Sequence, residues 1–350
     1  MIDSVFIEGY KSIRSQEVKL HKMNILLGGN GAGKTNFLSV FDFFRKIIQV
    51  RGFEYEYPQQ ASRLLYMGRK VTDKIHLSFK YKDSWINSIE MELKDVDNLL
   101  RVRKLAVDDN ENIESEAKER EMRSEDMLRI LVDQYWIHHF QDTGEKSPYR
   151  ESSKISDNRV LRADGSNLAS FLYALRKKDP SCFRKIEDVI CEVAPSFGCF
   201  DLMPDNENGE DVRLQWHPKG ERAAFNEDVL FDEHQLSDGT LRMISLVTLL
   251  LQPQLPGLII IDEPEIGLHP AAIAVLADLL KGAAERTQII VSTQSIDLIN
   301  YFSPEDIIVA DYKKAQSQFK RLKSEELSQW LEEYTLGELW EKNVFGGQPY

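Results

Sequence analysis

The chain has 350 residues, with 44 Lys and Arg against 57 Asp and Glu, for a formal net charge of −13. Its 42% hydrophobic and 29% charged residues lie near the globular average, which excludes a disordered chain and predicts a packed core in one large domain or two ordinary ones. The acidic balance argues against indiscriminate coating of nucleic acid, which requires Lys and Arg to neutralise phosphates.

In chain order, the N-terminal stretch carries Asp3 where a secretory signal has basic residues, so no export signal is expected. Val5 and Ile7, then Val18 and Leu20, predict two short strands around a turn at Gly9. Met23–Leu27 is an apolar run broken by Gly28, Gly29, Asn30 and Gly31, after which Phe37, Leu38, Phe41, Phe44, Ile47 and Ile48 recur at helical spacing. The pattern is strand, glycine loop, helix. Ile75 to Phe79, Ile86 to Leu93 and Val102 to Val107 predict an antiparallel meander. A charged helix is expected over about Glu114–Leu131, then a strand over Tyr135–Gln141 and a polar loop over Asp142–Ser166. Two helices, Leu168–Leu175 and Phe183–Val193, precede a hairpin near Val212–Trp216. Asp232–Asp238 opens a long apolar helix, whose run Met243–Leu251 is less than half the ~20 residues of a membrane-spanning helix. Leu258–Ile261, Ile289–Val291 and Ile307–Val309 read as buried parallel strands. Neither an internal repeat nor a long heptad arm interrupts this order.

Several features read first as structure. Arg101, Arg103 and Lys104, and Arg176, Lys177, Lys178, Arg184 and Lys185, are short basic clusters expected on solvated faces. Cys182, Cys191 and Cys199 lack Cys-x-x-Cys spacing, so no disulfide scaffold or zinc site is expected and a reducing cytoplasm fits. His138 and His139 are adjacent on a predicted strand and point to opposite faces, which disfavours joint metal binding. Trp330, Leu331, Tyr334, Leu339 and Trp340 form an aromatic stripe expected to pack in the core, with partner docking as the alternative.

The chemistry-bearing motif is Gly28-Gly29-Asn30-Gly31-Ala32-Gly33-Lys34-Thr35, followed by Asn36, a match to the phosphate-binding loop between strand and helix. Glycines let backbone N–H groups converge on a β-phosphate at the helix N-terminus. Lys34, expected to be partly exposed without ligand, reaches the β- and γ-oxygens, and Thr35 ligates Mg²⁺. Asp262 and Glu263 end the apolar strand that begins at Leu258. Asp262 is placed to meet Mg²⁺ and Glu263 to polarise an attacking water. Leu236-Ser237-Asp238-Gly239-Thr240 precedes a helix and taken alone reads as an N-cap.

The order of these pieces, with Gln141 at a strand end and Ser292-Thr293-Gln294-Ser295 after the next strand, resembles an ABC-type ATPase head. The segments Phe6–Ser12, His139–Thr143 and Asp262–Pro270 look like the RecF/SMC-like branch, in particular the compact bacterial ATPases related to the overcoming-lysogenisation-defect (OLD) proteins. The resemblance covers the chain to about Ala310. It implies that Gln141 is a ligand of Mg²⁺ and water, that Ser237 and Gly239 are signature contacts, and that Glu263 is the catalytic carboxylate. Gln294 falls where the family usually has a switch His, and Gln carries no titratable proton, so slow turnover is expected. Asp238 replaces the first signature Gly of transporters and puts an acid near triphosphate. Larger members append a Toprim nuclease, for which the ~40 residues after Ala310 are too few, so the ATPase is expected alone on its chain.

These readings imply an α/β ABC-type head with a mixed central sheet, an antiparallel β-subdomain and a helical signature lobe. Residues 1–142 hold the phosphate loop, β-subdomain and Gln141; 143–254 form the signature lobe; and 255–350 hold the second carboxylate strand, the switch and the C-terminal helices. The expected activity is slow hydrolysis of ATP with Mg²⁺ in a cytoplasmic homodimer or higher oligomer. That assembly sandwiches nucleotide and gates a separately encoded effector, a nuclease, in bacterial anti-phage defence or a DNA-damage response. The alternatives are a RecF-type repair ATPase that binds DNA and, behind it, a transporter's nucleotide-binding subunit.

Overall fold

The computed structural model describes residues 1–49, 56–57, 61–82, 86–109, 128–129, 131–138, 144, 147–204, 209–220 and 229–348. The predicted helix over Glu114–Leu131 therefore lies mostly outside the described residues. The chain divides into two compact units: Met1–Trp136 with Pro256–Ile260 and Thr287–Tyr350, and Ile137–Leu255 with Ile261–Arg286.

The first unit is organised by two sheets. One has the order β2-β1-β5-β6-β7-β4, from β1 (Ile2–Tyr10), β2 (Ile13–Lys19), β4 (Glu56–Tyr57), β5 (Lys74–Tyr81), β6 (Ile86–Val96) and β7 (Leu99–Asp109). Its neighbours pair antiparallel, and the alternation of buried and more open positions over Ile89–Lys94 of β6 suits a sheet with one packed face. The first hairpin departs from expectation. Tyr10 pairs with Ile13, so the turn is Lys11-Ser12, with Lys11 at φ 48°. Gly9 lies inside β1 at φ 75°, where a Cβ would stand 2.3 Å from the Lys74 carbonyl oxygen. Glycine is required there by the approach of β5.

The second sheet has the order β16-β15-β3-β14-β13-β8, from β3 (Met23–Leu27), β8 (Tyr135–His138), β13 (Leu258–Asp262), β14 (Gln288–Thr293), β15 (Ile307–Lys313) and β16 (Gln316–Arg321). β3 pairs parallel with β14 and β15, while β16 runs antiparallel to β15, so the sheet is mixed. Every residue of β3, β13 and β14 is buried, which explains their largely aliphatic composition, while the buried polar residues stand at Asn24 and toward the strand ends, at Asp262, Gln288, Ser292 and Thr293. Helix α1 (Lys34–Gln49) presents a phenylalanine face that meets both sheets: Phe44 is 4.3 Å from Phe79 of β5, and Phe37 is 5.1 Å from Phe319 of β16, between ring centroids. A short helix α2 (Ala61–Leu64) follows β4.

In the second unit, β9 (Ser153–Lys154) precedes helices α3 (Leu168–Lys178) and α4 (Pro180–Val193), the latter with Asp179 capping the Cys182 N–H at 3.0 Å. Strands β10 (Phe197–Asp201), β11 (Asp211–Val212) and β12 (Gln215–Pro218) follow. The expected hairpin near Val212–Trp216 does not form. Instead β11 pairs with β9, and β12 pairs with β10 around the stacked rings of Phe197 and Trp216, 5.8 Å apart. Burying Trp216 against β10 decides the partner. Helix α5 (Asp238–Leu251) is buried from Leu241 to Leu250 and packs on α4 and α6 (Pro270–Ala284).

The chain returns to the first unit with α7 (Ile296–Ile299), α8 (Ser324–Leu331) and α9 (Leu336–Glu341). The aromatic stripe splits: Leu339 and Trp340 are core, whereas Trp330 is 46% exposed beside Tyr334. No helix among the described residues is long and apolar enough to cross a membrane.

Candidate functional site

In the first unit, β3 feeds Gly28–Gly33 directly into α1. Gly31 and Gly33 have φ of 80° and 103°, a region open to glycine and strained for other residues. A Cβ on Gly33 would lie 2.0 Å from the Ser317 Oγ, and one on Gly28 would lie 2.5 Å from the Ala310 carbonyl oxygen. The loop is thus seated on β15 and β16, and only glycine fits. Ser317 Oγ donates to Ser12 Oγ at 2.7 Å, and the Asn36 amide donates to the same Ser12 Oγ at 2.7 Å. The carbonyl of Gly347 accepts from the Gly29 N–H at 2.7 Å.

The helix ladder opens with Phe37 N–H to the Gly33 carbonyl, 2.9 Å. The N–H groups of Lys34, Thr35 and Asn36 precede it, the donor arrangement that suits a phosphate. Asn30, Gly31 and Thr35 are exposed and Ala32 is buried. Lys34, expected to be partly exposed, is instead 5% exposed, and its ammonium donates to the carbonyls of Gly28 at 2.6 Å and Gly29 at 3.3 Å. The curl of the loop turns these carbonyls inward, and a cation satisfies them better than water can.

Gln294 follows β14, and its amide donates to Asn30 Oδ1 at 3.0 Å. The fold therefore brings Gln294 to the glycine loop across 264 positions of sequence. Gln141, with His139, Phe140, Asp142 and Thr143, lies outside the described residues.

Asp262 ends β13 and is 8% exposed. Glu263, the next residue, has φ 46°. A non-glycine residue in the left-handed region costs roughly 1–3 kcal/mol. Lys11, Asp97, Asn98, Lys314 and Ala315 take it in hairpin turns, whereas Glu263 takes it directly after the buried strand β13.

In the second unit, Ser237 is the N-cap of α5 and accepts from the Thr240 N–H at 3.1 Å. Ser237 and Asp238 are exposed, although most of their helix is buried. A Cβ on Gly239 would meet the Gly267 carbonyl oxygen at 2.4 Å, so the helix start is pressed against the turn before α6. A cavity of about 130 Å³ opens here, lined by residues including Ser237, Gly239, Thr240, Gly267 and His269. Arg242, one turn along, has its pKa lowered by burial, against the opposing fields of Tyr149, Asp238 and Glu265.

Three contributors escaped sequence reasoning. Ser12 lies in the Phe6–Ser12 segment that carries the resemblance but has no role legible there, and Ser317 carries no local signal, because a small hydroxyl in a hairpin looks the same wherever it is. Arg150 sits in a polar stretch read as loop, yet its guanidinium bonds Asp238 at 2.8 Å. Of the basic clusters, Lys177, Lys178, Arg184 and Lys185 are exposed, whereas Arg176 donates to the Leu202 carbonyl at 3.2 Å. Cys182, Cys191 and Cys199 are free thiols. Among the described residues no cluster of three or more His, Cys, Asp or Glu could hold a metal.

No curated protein matches the chain. Solved structures similar to it include a Smc head bound to the C-winged helix domain of ScpA, with 16% identity and a TM-score of 0.63 over 94% of this chain and 99% of that one. A second is the Smc head with an extended coiled coil bound to the C-terminal domain of ScpA, derived from Pyrococcus furiosus, with 15% identity and a TM-score of 0.60 over 95% and 98%. The SMC head domain of Thermotoga maritima gives 14% and 0.52 over 92% and 99%. At these identities the likeness shows the fold alone, the α/β fold of an SMC head domain. The family model described as "AAA domain, putative AbiEii toxin, Type IV TA system" matches residues 23–300, and the chain belongs to that family.

Proposed function

We propose that the chain binds ATP with Mg²⁺ at Gly28–Asn36 and hydrolyses it slowly, as two copies closing around nucleotide. The observation that carries this reading is the start of α5, where Ser237 and Asp238 are exposed on an otherwise buried helix. A signature turn placed that way suits the nucleotide of a second copy. In this reading Ser237, Asp238 and Gly239 of one copy face the glycine loop of the other. Glu263 orients the attacking water, and Gln294, hydrogen-bonded to Asn30, stands at the γ-phosphate end.

The hydroxyl of Thr35, the carboxylate of Asp262 and the amide oxygen of Gln141 are hard oxygen donors that suit Mg²⁺. When bound, the ion neutralises phosphate charge. Lys34 and the N–H groups at the head of α1 hold the phosphates.

Closure is proposed to gate a separately encoded effector, a nuclease, in bacterial anti-phage defence or a DNA-damage response. The description of the family as part of a toxin–antitoxin system supports a two-component arrangement. So does the binding of ScpA domains by two of the similar heads. Sedimentation velocity tests the core of the proposal: ATP with Mg²⁺ should shift the protein from one copy to two, and ADP should not. An unchanged sedimentation coefficient in ATP overturns it. A second reading, duplex DNA binding, is supported by the exposure of Lys177, Lys178, Arg184 and Lys185. It requires ATP-dependent binding that weakens steeply with salt.

The residue at 294 sets the expected pace. Gln offers a hydrogen bond without imidazole chemistry, so Gln294→His is expected to speed hydrolysis while changing ATP affinity by less than about tenfold, 1.4 kcal/mol. Steady-state turnover and nucleotide titration of both proteins check this. A His variant that is no faster, beside a wild type already near ~10 s⁻¹, removes Gln294 as the slow element.

A further inference from the structure

Asp238 puts a carboxylate on the turn proposed to face a second copy's triphosphate, and left alone it would repel that ligand. Arg150 answers it. The arginine ends a short 3₁₀ turn, Pro148–Arg150, whose Ser147 cap accepts from the Tyr149 N–H. Its guanidinium donates through Nη1 to the Glu233 carbonyl at 2.5 Å and through Nη2 to Asp238 Oδ1 at 2.8 Å and the Leu236 carbonyl at 3.3 Å. Nε donates to the Gly144 carbonyl at 3.3 Å. The Arg150 side chain is only 7% exposed, whereas that of Asp238 is 61% exposed.

These acceptors lie on both sides of Ser237. Leu236 precedes it and Asp238 follows it, so one rigid fork fixes the chain entering and leaving that residue. The segment it grips is itself locked: Asp232 and Gln235 form a reciprocal capping box, and Gly239 rests on the Gly267 carbonyl. A flexible ammonium could not serve all four acceptors, because it lacks the planar spread of donors.

We infer that Arg150 is the positioning residue of the Ser237–Gly239 turn. Asp238 receives Arg150, and the pair presents the Ser237 hydroxyl and the Gly239 N–H on a charge-neutral turn. The inference rests on the proposed ATP-driven association of two copies. It also removes the conflict of an acid at a phosphate-facing position, because Arg150 pairs with that acid directly and Arg242 lies within its field.

The test uses the Glu263→Gln protein as parent. Sedimentation velocity reads the concentration for half-association in ATP with Mg²⁺, and a fluorescent trinitrophenyl-ATP reads nucleotide binding by a single copy. Arg150→Ala is expected to raise the half-association concentration at least tenfold while nucleotide affinity changes less than threefold. Adding Asp238→Asn to Arg150→Ala is expected to recover at least threefold of that loss, because it removes the uncompensated charge. A merely structural brace gives no such rescue. Association of Arg150→Ala equal to the parent, or a double variant no better than the single, overturns the assignment.

If Arg150→Ala does not fold, as read by circular dichroism, Arg150→Lys carries the comparison. It keeps the charge without the fork, so at least a threefold loss is expected, and parity with the parent overturns the assignment. A parent that does not associate in ATP overturns the proposed function and this inference together. A parent that associates while Arg150 proves indifferent overturns the inference alone.

Discussion

Glu263→Gln is expected to cut steady-state ATP hydrolysis by about 10²- to 10⁴-fold, the usual contribution of a positioned general base. The residue directly follows the buried strand end at Asp262 and is held at φ 46°. That conformation is paid for by the surrounding packing, and Gln adopts it at the same cost, because the two side chains share shape and branching. The carboxamide keeps a hydrogen bond and loses the charge that orients water. Nucleotide should therefore bind within about threefold of wild type, and ATP should persist in an associated form that does not decay over hours. Steady-state turnover, with sedimentation in the presence and absence of ATP, gives both numbers. Wild-type turnover in this variant removes Glu263 from the chemistry.

Lys34→Ala is expected to weaken ATP binding by about 2–3 kcal/mol, roughly 30- to 150-fold, from the loss of charge-assisted hydrogen bonds to phosphate. The ammonium is buried inside the loop and held by the Gly28 and Gly29 carbonyls. Binding then exchanges carbonyl partners for phosphate oxygens without drawing the side chain out of water. The same burial makes the substitution costly to the free protein. Two carbonyls lose a charged donor, so thermal stability should fall by about 1–2 kcal/mol. Calorimetric titration and thermal unfolding check the two effects separately. Undiminished binding by a folded Lys34→Ala protein overturns the phosphate-loop assignment.

Residue types alone determined the parts of this protein whose requirements are local. A strand running into glycines that must take positive φ, followed at once by a helix, needs only neighbouring residues, so Gly28–Thr35 was legible before any fold. The aliphatic runs Ile25–Leu27, Leu258–Ile261 and Ile289–Val291 within β3, β13 and β14 announced burial on both faces, because consecutive apolar side chains on a strand point to opposite sides. The helical spacing of Phe37, Phe41 and Phe44 announced a buried face in the same way.

Tertiary structure alone decided what depends on distant partners. Val212 and Trp216 looked like one hairpin, yet sheet pairing is a contest among strands, and the aromatic contact with Phe197 took β12 to β10. Gly9 looked like a turn because glycine marks turns and close approaches alike, and only the Lys74 carbonyl distinguishes them. Long cations usually keep their charge in water, so sequence alone suggests an open Lys34, but the loop turns two carbonyls inward to receive it. Arg150 reaches Asp238 across 88 positions, and Gln294 reaches Asn30 across 264. A lone polar side chain carries no periodicity, so its partner is chosen only when the packed elements bring two backbones within a few ångströms.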